Sequence, residues 1–208
     1  MREDEPQHAR PLLEGDLLPD PVAQFRAWFR EASQIGLRLP EAMAVATTTP
    51  GGEPSVRMAL LKGVDERGFV FYTSYLSRKA RELDENPRAA LLFYWDQLGR
   101  QVRVEGGVER CPSEESRRYI ESRPRASRLS ALASCQSEPI ESRAALEAAV
   151  SELAKRYRDR ELPVPDDWGG YRVLPESLEF WQHREDRLHD RLVYSRAVDG
   201  WTIERLAP

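Results

Sequence analysis

The stretch Ala42-Met43-Ala44-Val45-Ala46-Thr47-Thr48-Thr49-Pro50-Gly51-Gly52, with the returning Val56-Arg57-Met58-Ala59-Leu60-Leu61-Lys62-Gly63-Val64, decides the fold. Apolar and β-branched residues run into a Pro-Gly-Gly turn and out again, which predicts an antiparallel hairpin. Asp65-Glu66-Arg67-Gly68 turns the chain once more into Phe69-Val70-Phe71-Tyr72-Thr73, a third strand. Further on, Ala89 to Trp95 is an apolar run suited to the centre of a sheet. Gln101 to Val108 alternates, with Val102 and Val104 on one face and Gln101, Arg103 and Glu105 on the other. Strands are expected again at Gly170 to Val173, Ser177 to Trp181, Leu188 to Ser195 and Trp201 to Leu206.

Helices punctuate this pattern. Pro21 opens one whose apolar residues Val22, Phe25, Phe29, Ala32 and Ile35 recur at steps of three and four. Gly36 and Pro40 end it. Ser77 to Glu85 reads as a short helix stopped by Asn86-Pro87. Ser113 to Ser122, a helix starting at Pro124, and one from about Ile140 to Arg160 fill the middle. Strands and helices do not alternate one for one, which argues against a parallel doubly wound sheet. The expected class is α+β, mainly β: a closed antiparallel barrel with peripheral helices. Residues 1–20 are polar and read as a mobile tail, and residues 21–208 as a single domain.

The chain has 208 residues, 40% hydrophobic and 32% charged, enough for a buried core and too apolar for disorder. Its longest apolar run, Ala89 to Trp95, is far below the roughly 20 residues that span a bilayer. No apolar leader follows the acidic start, so a cytoplasmic setting without membrane contact is expected. The net charge of -4 argues against broad nucleic-acid binding. Cys111 and Cys135 are the only cysteines, and neither they nor His183 and His189 have zinc-ligand spacing, so no metal is expected. No dinucleotide fingerprint, P-loop or nucleophile elbow is present.

Three places break local rules. Arg78 and Lys79 occupy the first turn of their helix, where the macrodipole disfavours cations. They read either as an anion site or as a solvated helix end. Tyr119, Arg123 and Ser127 converge where Arg123 precedes Pro124 at a new helix, either a second anion pocket or an ordinary helix corner. Arg187, His189 and Arg191 share one face if their segment is a strand, beside an anionic or electron-rich ligand or at a solvated edge. Arg57 and Lys62 have opposite parity, and only a bulge or the strand end brings both to one ligand.

Taken in order, these segments resemble the pyridoxine (pyridoxamine) 5′-phosphate oxidase family from about Pro21 to Pro208. The specific pieces are Arg57-Met58-Ala59-Leu60-Leu61-Lys62, Phe71-Tyr72-Thr73, Ser77-Arg78-Lys79-Ala80 and Arg100-Gln101-Val102-Arg103. They continue with Ser122-Arg123-Pro124-Arg125, Gln136-Ser137, Trp168-Gly169-Gly170-Tyr171-Arg172, Glu179-Phe180-Trp181-Gln182, Arg187-Leu188-His189-Asp190-Arg191 and the ending Glu204-Arg205-Leu206-Ala207-Pro208. The resemblance implies an FMN-binding split barrel and a homodimer with two FMN sites at the subunit interface.

It further implies that Arg57, Arg78 and Lys79 of one subunit hold the flavin phosphate. Gln136 and Ser137, with Trp181 and Arg191, would come from the other subunit. Arg57, Met58, Ala59, Leu60, Leu61 and Lys62, with Tyr72, Thr73 and Gln101, would line the isoalloxazine and ribityl chain. The substrate phosphate would meet Lys62, Tyr119, Arg123 and Ser127. Arg187 and His189 would act at the substrate ring, with Arg187 orienting the substrate and tuning charge. The implied reaction oxidises pyridoxamine or pyridoxine 5′-phosphate to pyridoxal 5′-phosphate, with oxygen reduced to hydrogen peroxide. A phenazine-biosynthetic branch shares the flavin motifs but lacks the lysine at position 62. A carrier with the same pockets and negligible turnover is the non-enzyme alternative. His183, Leu132 and Cys135 depart from the family pattern, and the Arg-Arg-x-Tyr stretch of some members' tails is missing.

Overall fold

The computed structural model describes residues 10–208. Its elements in chain order are α1 (Pro21–Gln34), β1 (Ala42–Thr48), β2 (Pro54–Leu60), β3 (Gly63–Asp65), β4 (Gly68–Ser74), α2 (Arg78–Glu85), β5 (Arg88–Trp95) and β6 (Arg100–Arg110). There follow α3 (Ser113–Ser122), α4 (Arg125–Ala133), α5 (Arg143–Arg156), β7 (Trp168–Gln182), β8 (Asp190–Ala197) and β9 (Gly200–Arg205). All strand pairs are antiparallel, in the order β2-β1-β5-β6-β7-β4-β3, with β8 on β7 and β9 on β8. The path ends on two edge strands, so the barrel is split rather than closed by hydrogen bonds. That corrects the closed form read from the hairpins alone and agrees with the split barrel the resemblance implied.

The split lies on β7. Its first half, Trp168 to Val173, pairs with β4, and its second half, Ser177 to Gln182, pairs with β8, while β6 runs along both. Two strands were expected here, Gly170 to Val173 and Ser177 to Trp181; the structure has one. Pro175 is tolerated because the β6–β7 register shifts between Glu105 and Gly106 at this point, and a bulge absorbs the missing N–H. Gly106 is required there: a Cβ would stand 1.9 Å from the Leu174 carbonyl oxygen.

The helix α1 is capped by Asp20, whose carboxylate accepts from the Val22 and Ala23 N–H groups, with Pro21 at its first turn. Its apolar stripe closes the sheet. The Phe25 ring lies 4.8 Å from both Phe69 and Phe93, and Trp28 meets Phe180 edge-on at 5.1 Å. Ile35, counted in that stripe, falls past the last turn and is 40% exposed. Of the expected mobile tail, residues 1–9 lie outside the described residues. Residues 10–20 are tied down instead: Leu12 and Leu17 are buried, the Leu12 N–H donates to Asp190, and Arg205 reaches Glu14 and the Leu12 carbonyl.

Candidate functional site

Two hydrogen-bonded clusters and one aromatic group carry the expected residues, and the strand register fixes where each sits. The first cluster surrounds α2. Ser77 precedes the helix but its hydroxyl caps no backbone N–H. It accepts instead from Lys79 Nζ at 3.2 Å, and Thr73 Oγ1 accepts from the same ammonium at 3.0 Å. Lys79 is buried with hydroxyl partners. Burial, aided by the Arg57 charge, lowers its pKa to about 8.

Arg57 reaches across from β2, donating to the Val45 carbonyl at 3.0 Å, to Thr47 Oγ1 at 2.6 Å and to Ser55 Oγ. Glu82, on the second turn of α2, holds this array. It pairs with Arg57 at 3.3 Å and Arg78 at 2.8 Å and accepts from Thr47 and Ser55. Burial alone would raise its carboxyl. The hydrogen bonds from Ser55, Thr47 and Arg78, with the Arg57 charge, outweigh it and hold the pKa near 2.

Gln136 and Ser137 belong to this cluster within one chain. Gln136 Oε1 accepts from Thr73 Oγ1 at 2.9 Å and from the Ser74 N–H at 3.3 Å, while Ser137 Oγ accepts from the Arg78 N–H at 3.1 Å. The assignment of these two residues to the other subunit is thus corrected: the chain returns over β4 after α4 and places them beside their own Arg78. Ser137 does so with a positive φ of 74°. The set is three cations against one carboxylate, a surplus of two positive charges with hydroxyl donors and a helix start. That charge and donor chemistry fits a phosphate dianion, and so fits the phosphate of FMN.

The aromatic group adjoins it. Tyr72, on β4 next to Thr73, stacks on Tyr119 of α3 at 3.8 Å, and Trp168 at the start of β7 lies nearly parallel to both at 5.9 and 6.0 Å. Burial raises the phenol pKa of Tyr72 and of Tyr119, so both remain protonated donors. The Arg123 guanidinium sits over Trp168, 4.7 Å from the ring. Its Nη1 is buried without a hydrogen-bond partner. A cleft of about 490 Å³ is lined by Tyr72, Thr73, Arg123, Ser127, Gln136 and Trp168 among others. Pro124 is the cap of α4 rather than its first residue, which leaves Arg123 extended and turned into the cleft.

The segment from Arg57 to Lys62 is not one surface. Arg57 and Ala59 are half-buried, Met58 and Leu60 are 66% and 37% exposed on the opposite face, and Leu61 is in the core. Lys62 is exposed and lies past the end of β2, its N–H donating to the Val70 carbonyl at 2.8 Å. Of the two expected routes, a bulge or the strand end, Lys62 thus sits at the strand end.

The second cluster is at the far end of β7. Gln101, Trp181 and Arg191 stand side by side on β6, β7 and β8. Glu179 holds Arg191 at 2.8 Å and also binds Arg103. The His189 ring lies 4.6 Å from Trp181 and 5.2 Å from His183. Its Nδ1 accepts from the Arg184 N–H at 3.1 Å. The strand expected from Leu188 begins at Asp190, after a helical turn in which Asp186 and Arg187 have φ of 55° and 61°. Arg187, His189 and Arg191 therefore do not share a strand face, because the turn breaks the two-residue period.

Thr47, Ser55, Glu82, Trp168 and Glu179 were not singled out as site residues by the sequence. Only Glu82 carried a local signal, four positions after Arg78 on the same helix face.

A family model described as pyridoxamine 5′-phosphate oxidase matches residues 29–157, and one described as the pyridoxine 5′-phosphate oxidase C-terminal dimerisation region matches residues 168–208. The chain is 58% identical over 197 residues to the pyridoxine/pyridoxamine 5′-phosphate oxidase of Rubrobacter xylanophilus, covering 95% of this chain and 91% of that protein. It is 57% identical over 200 residues to that of Burkholderia multivorans, covering 95% and 93%. Among solved structures, PhzG from Burkholderia lata, in complex with tetrahydrophenazine-1-carboxylic acid, superposes with a TM-score of 0.90 at 33% identity over 97% of this chain and 100% of that one. A pyridoxamine 5′-phosphate oxidase-related, FMN-binding protein from Nostoc punctiforme shares the fold, with a TM-score of 0.70 at 20% identity over 92% of this chain and 100% of that one.

Proposed function

The chain belongs to the pyridoxamine 5′-phosphate oxidase family, and from that membership we propose that it oxidises pyridoxine or pyridoxamine 5′-phosphate to pyridoxal 5′-phosphate with FMN as cofactor and oxygen as acceptor. The observation that supports this reading is two groups of cationic and hydroxyl side chains side by side along β4, each suited to an oxyanion. Lys79, Arg57 and Arg78 form one beside Thr73; Arg123, Ser127 and Tyr119 form the other beside Tyr72. A phosphorylated cofactor next to a phosphorylated substrate needs that pairing.

When bound, FMN supplies hydride acceptance from the substrate carbon and reoxidation by oxygen to give peroxide. The protein's part is positioning and charge. Lys79, Arg57, Arg78 and Ser137 grip the cofactor phosphate. The edge of β2 is unpaired and offers backbone groups to the flavin, which explains how a segment with side chains on both faces serves one ligand. Lys62, Tyr119, Arg123 and Ser127 fix the substrate phosphate. With Nδ1 filled by the Arg184 N–H, His189 presents Nε2 toward the substrate ring, and Arg187 orients that ring.

Gln101, Trp181, Arg187, His189 and Arg191 complete a site on the partner subunit. A two-fold axis pairs each chain's β4 end with the other's β8 end, giving two equivalent sites per homodimer. The match of residues 168–208 to a dimerisation region supports this arrangement. Residues 21–208 then act as one FMN-binding unit. Among the described residues no helix is long and apolar enough to cross a membrane, and both cysteines are unpaired, which supports a reducing, cytoplasmic setting.

Peroxide formation tests the function. The FMN-loaded protein is expected to release peroxide with pyridoxine 5′-phosphate and far less with pyridoxine. Turnover of a phenazine precursor in preference to the phosphorylated vitamers would move the chain to the phenazine-type branch. Flavin binding with no turnover of any of them would make it a carrier.

A further inference from the structure

We infer that Trp168 is a positioning residue for substrate-phosphate binding, acting through Arg123; this rests on the oxidase reading above. Four arginines of the site are held in two different ways. Arg57 and Arg78 lean on Glu82, and Arg191 on Glu179, so carboxylates fix all three and partly cancel their charge. Arg123 is different. Among the described residues it has no ion pair, and its guanidinium lies over the Trp168 ring at 4.7 Å with Nη1 buried and unpartnered.

An aromatic face attracts a guanidinium through its quadrupole and accepts no proton from it. Arg123 is therefore held in place while its N–H groups and full charge stay available to an anion entering the cleft. A carboxylate in the same place would occupy the fork that a phosphate needs.

The ring is itself fixed. Trp168 is the first residue of β7, pairs with Ser74 of β4, and lies parallel to Tyr119 and Tyr72 at 6.0 and 5.9 Å. Arg123 is extended at the corner between α3 and α4, where its own backbone gives no helical support. The indole thus links the sheet, which carries the cofactor-side residues Tyr72 and Thr73, to the corner that carries the phosphate ligand.

Steady-state kinetics on the FMN-loaded protein test this, with pyridoxine 5′-phosphate as substrate and inorganic phosphate as competing anion. Trp168→Leu is expected to raise KM and the phosphate inhibition constant about tenfold, with kcat within about twofold and flavin occupancy kept. Trp168→Phe keeps a weaker π-face and is expected to raise KM about threefold. In an Arg123→Ala background, Trp168→Leu should add almost nothing, since the residue it positions is gone. The inference is overturned if Trp168→Leu lowers kcat and leaves KM alone, or raises KM as much without Arg123 as with it. Should Trp168→Leu fail to fold, an unchanged KM in Trp168→Phe overturns it. Failure of the underlying reading looks different: the unsubstituted protein would turn over no phosphorylated vitamer, and the inference would fall with it.

Discussion

Trp168 and Trp181 lie on the same strand, β7, one beside each half of the candidate site, thirteen positions apart. At about 3.3 Å per residue that is roughly 40 Å along the strand. The proposed phosphate ligands Lys79 and Arg123 are at the Trp168 end, and Gln101, His189 and Arg191 are at the Trp181 end. This separation along the chain supports the proposed shared site, in which each of the two half-sites meets the complementary half-site of the same partner subunit.

The first prediction concerns Lys79. Burial beside Arg57 lowers its ammonium to about 8, and a phosphate bound against it raises it again. FMN binding thus favours the protonated form, so affinity is expected to fall as pH rises through about 8 and beyond. Lys79→Met should weaken FMN binding by about 10- to 100-fold and flatten that alkaline decline. Fluorescence titration of flavin at several pH values reads both; an unchanged alkaline decline in the variant would show that another group causes it.

A second prediction concerns Glu82. Its carboxyl is held near 2, below the usual 4.5, so the stability it adds is complete above about 4.5 and is lost as pH falls toward 2. Glu82→Gln leaves Arg57, Arg78 and Lys79 close together without a counter-charge. It is expected to destabilise the flavin-free fold by about 3 kcal/mol at neutral pH and by much less near the acid limit. Urea midpoints across the acid range measure the difference, and an equal loss at both ends would place the effect elsewhere.

The third prediction separates the two ends of the substrate. Arg123→Ala removes a charge-assisted contact made alike in ground and transition states, so KM should rise about 10- to 100-fold with kcat little changed. Arg187→Ala should lower kcat with flavin content nearly intact. Either variant showing the other's pattern would exchange the proposed roles.

How far the sequence alone reached can be judged residue by residue. Arg78 and Lys79 were legible because they break the dipole rule at a helix start, and a broken local rule is visible without a structure. The hairpins and the alternation of Val102 and Val104 likewise wrote most of the sheet in advance. Trp168 was quoted in a motif but had no visible role, because Arg123 reaches it only when the α3–α4 corner packs over β7. Glu82 could be paired with Arg78 from spacing, but Thr47 and Ser55 arrive from a separate hairpin. Strand β7 was read as two pieces, Gly170 to Val173 and Ser177 to Trp181, because the bulge opposite Gly106 that carries it past Pro175 cannot be seen locally. The positive φ of Asp186 and Arg187, neither of them glycine, hid the turn that separates Arg187 from the strand of Arg191.

The central claim, that each site draws one half from each subunit, is tested most directly by a mixed dimer. One chain carries Lys79→Met and the other Arg187→Ala, and the heterodimer is isolated and assayed with pyridoxine 5′-phosphate. Both parent homodimers are expected to turn over poorly. With shared sites, one site of the heterodimer carries both lesions and the other carries none, so turnover should recover to about half that of the unsubstituted protein. A heterodimer no more active than the Arg187→Ala homodimer would place both halves in one chain and contradict the account.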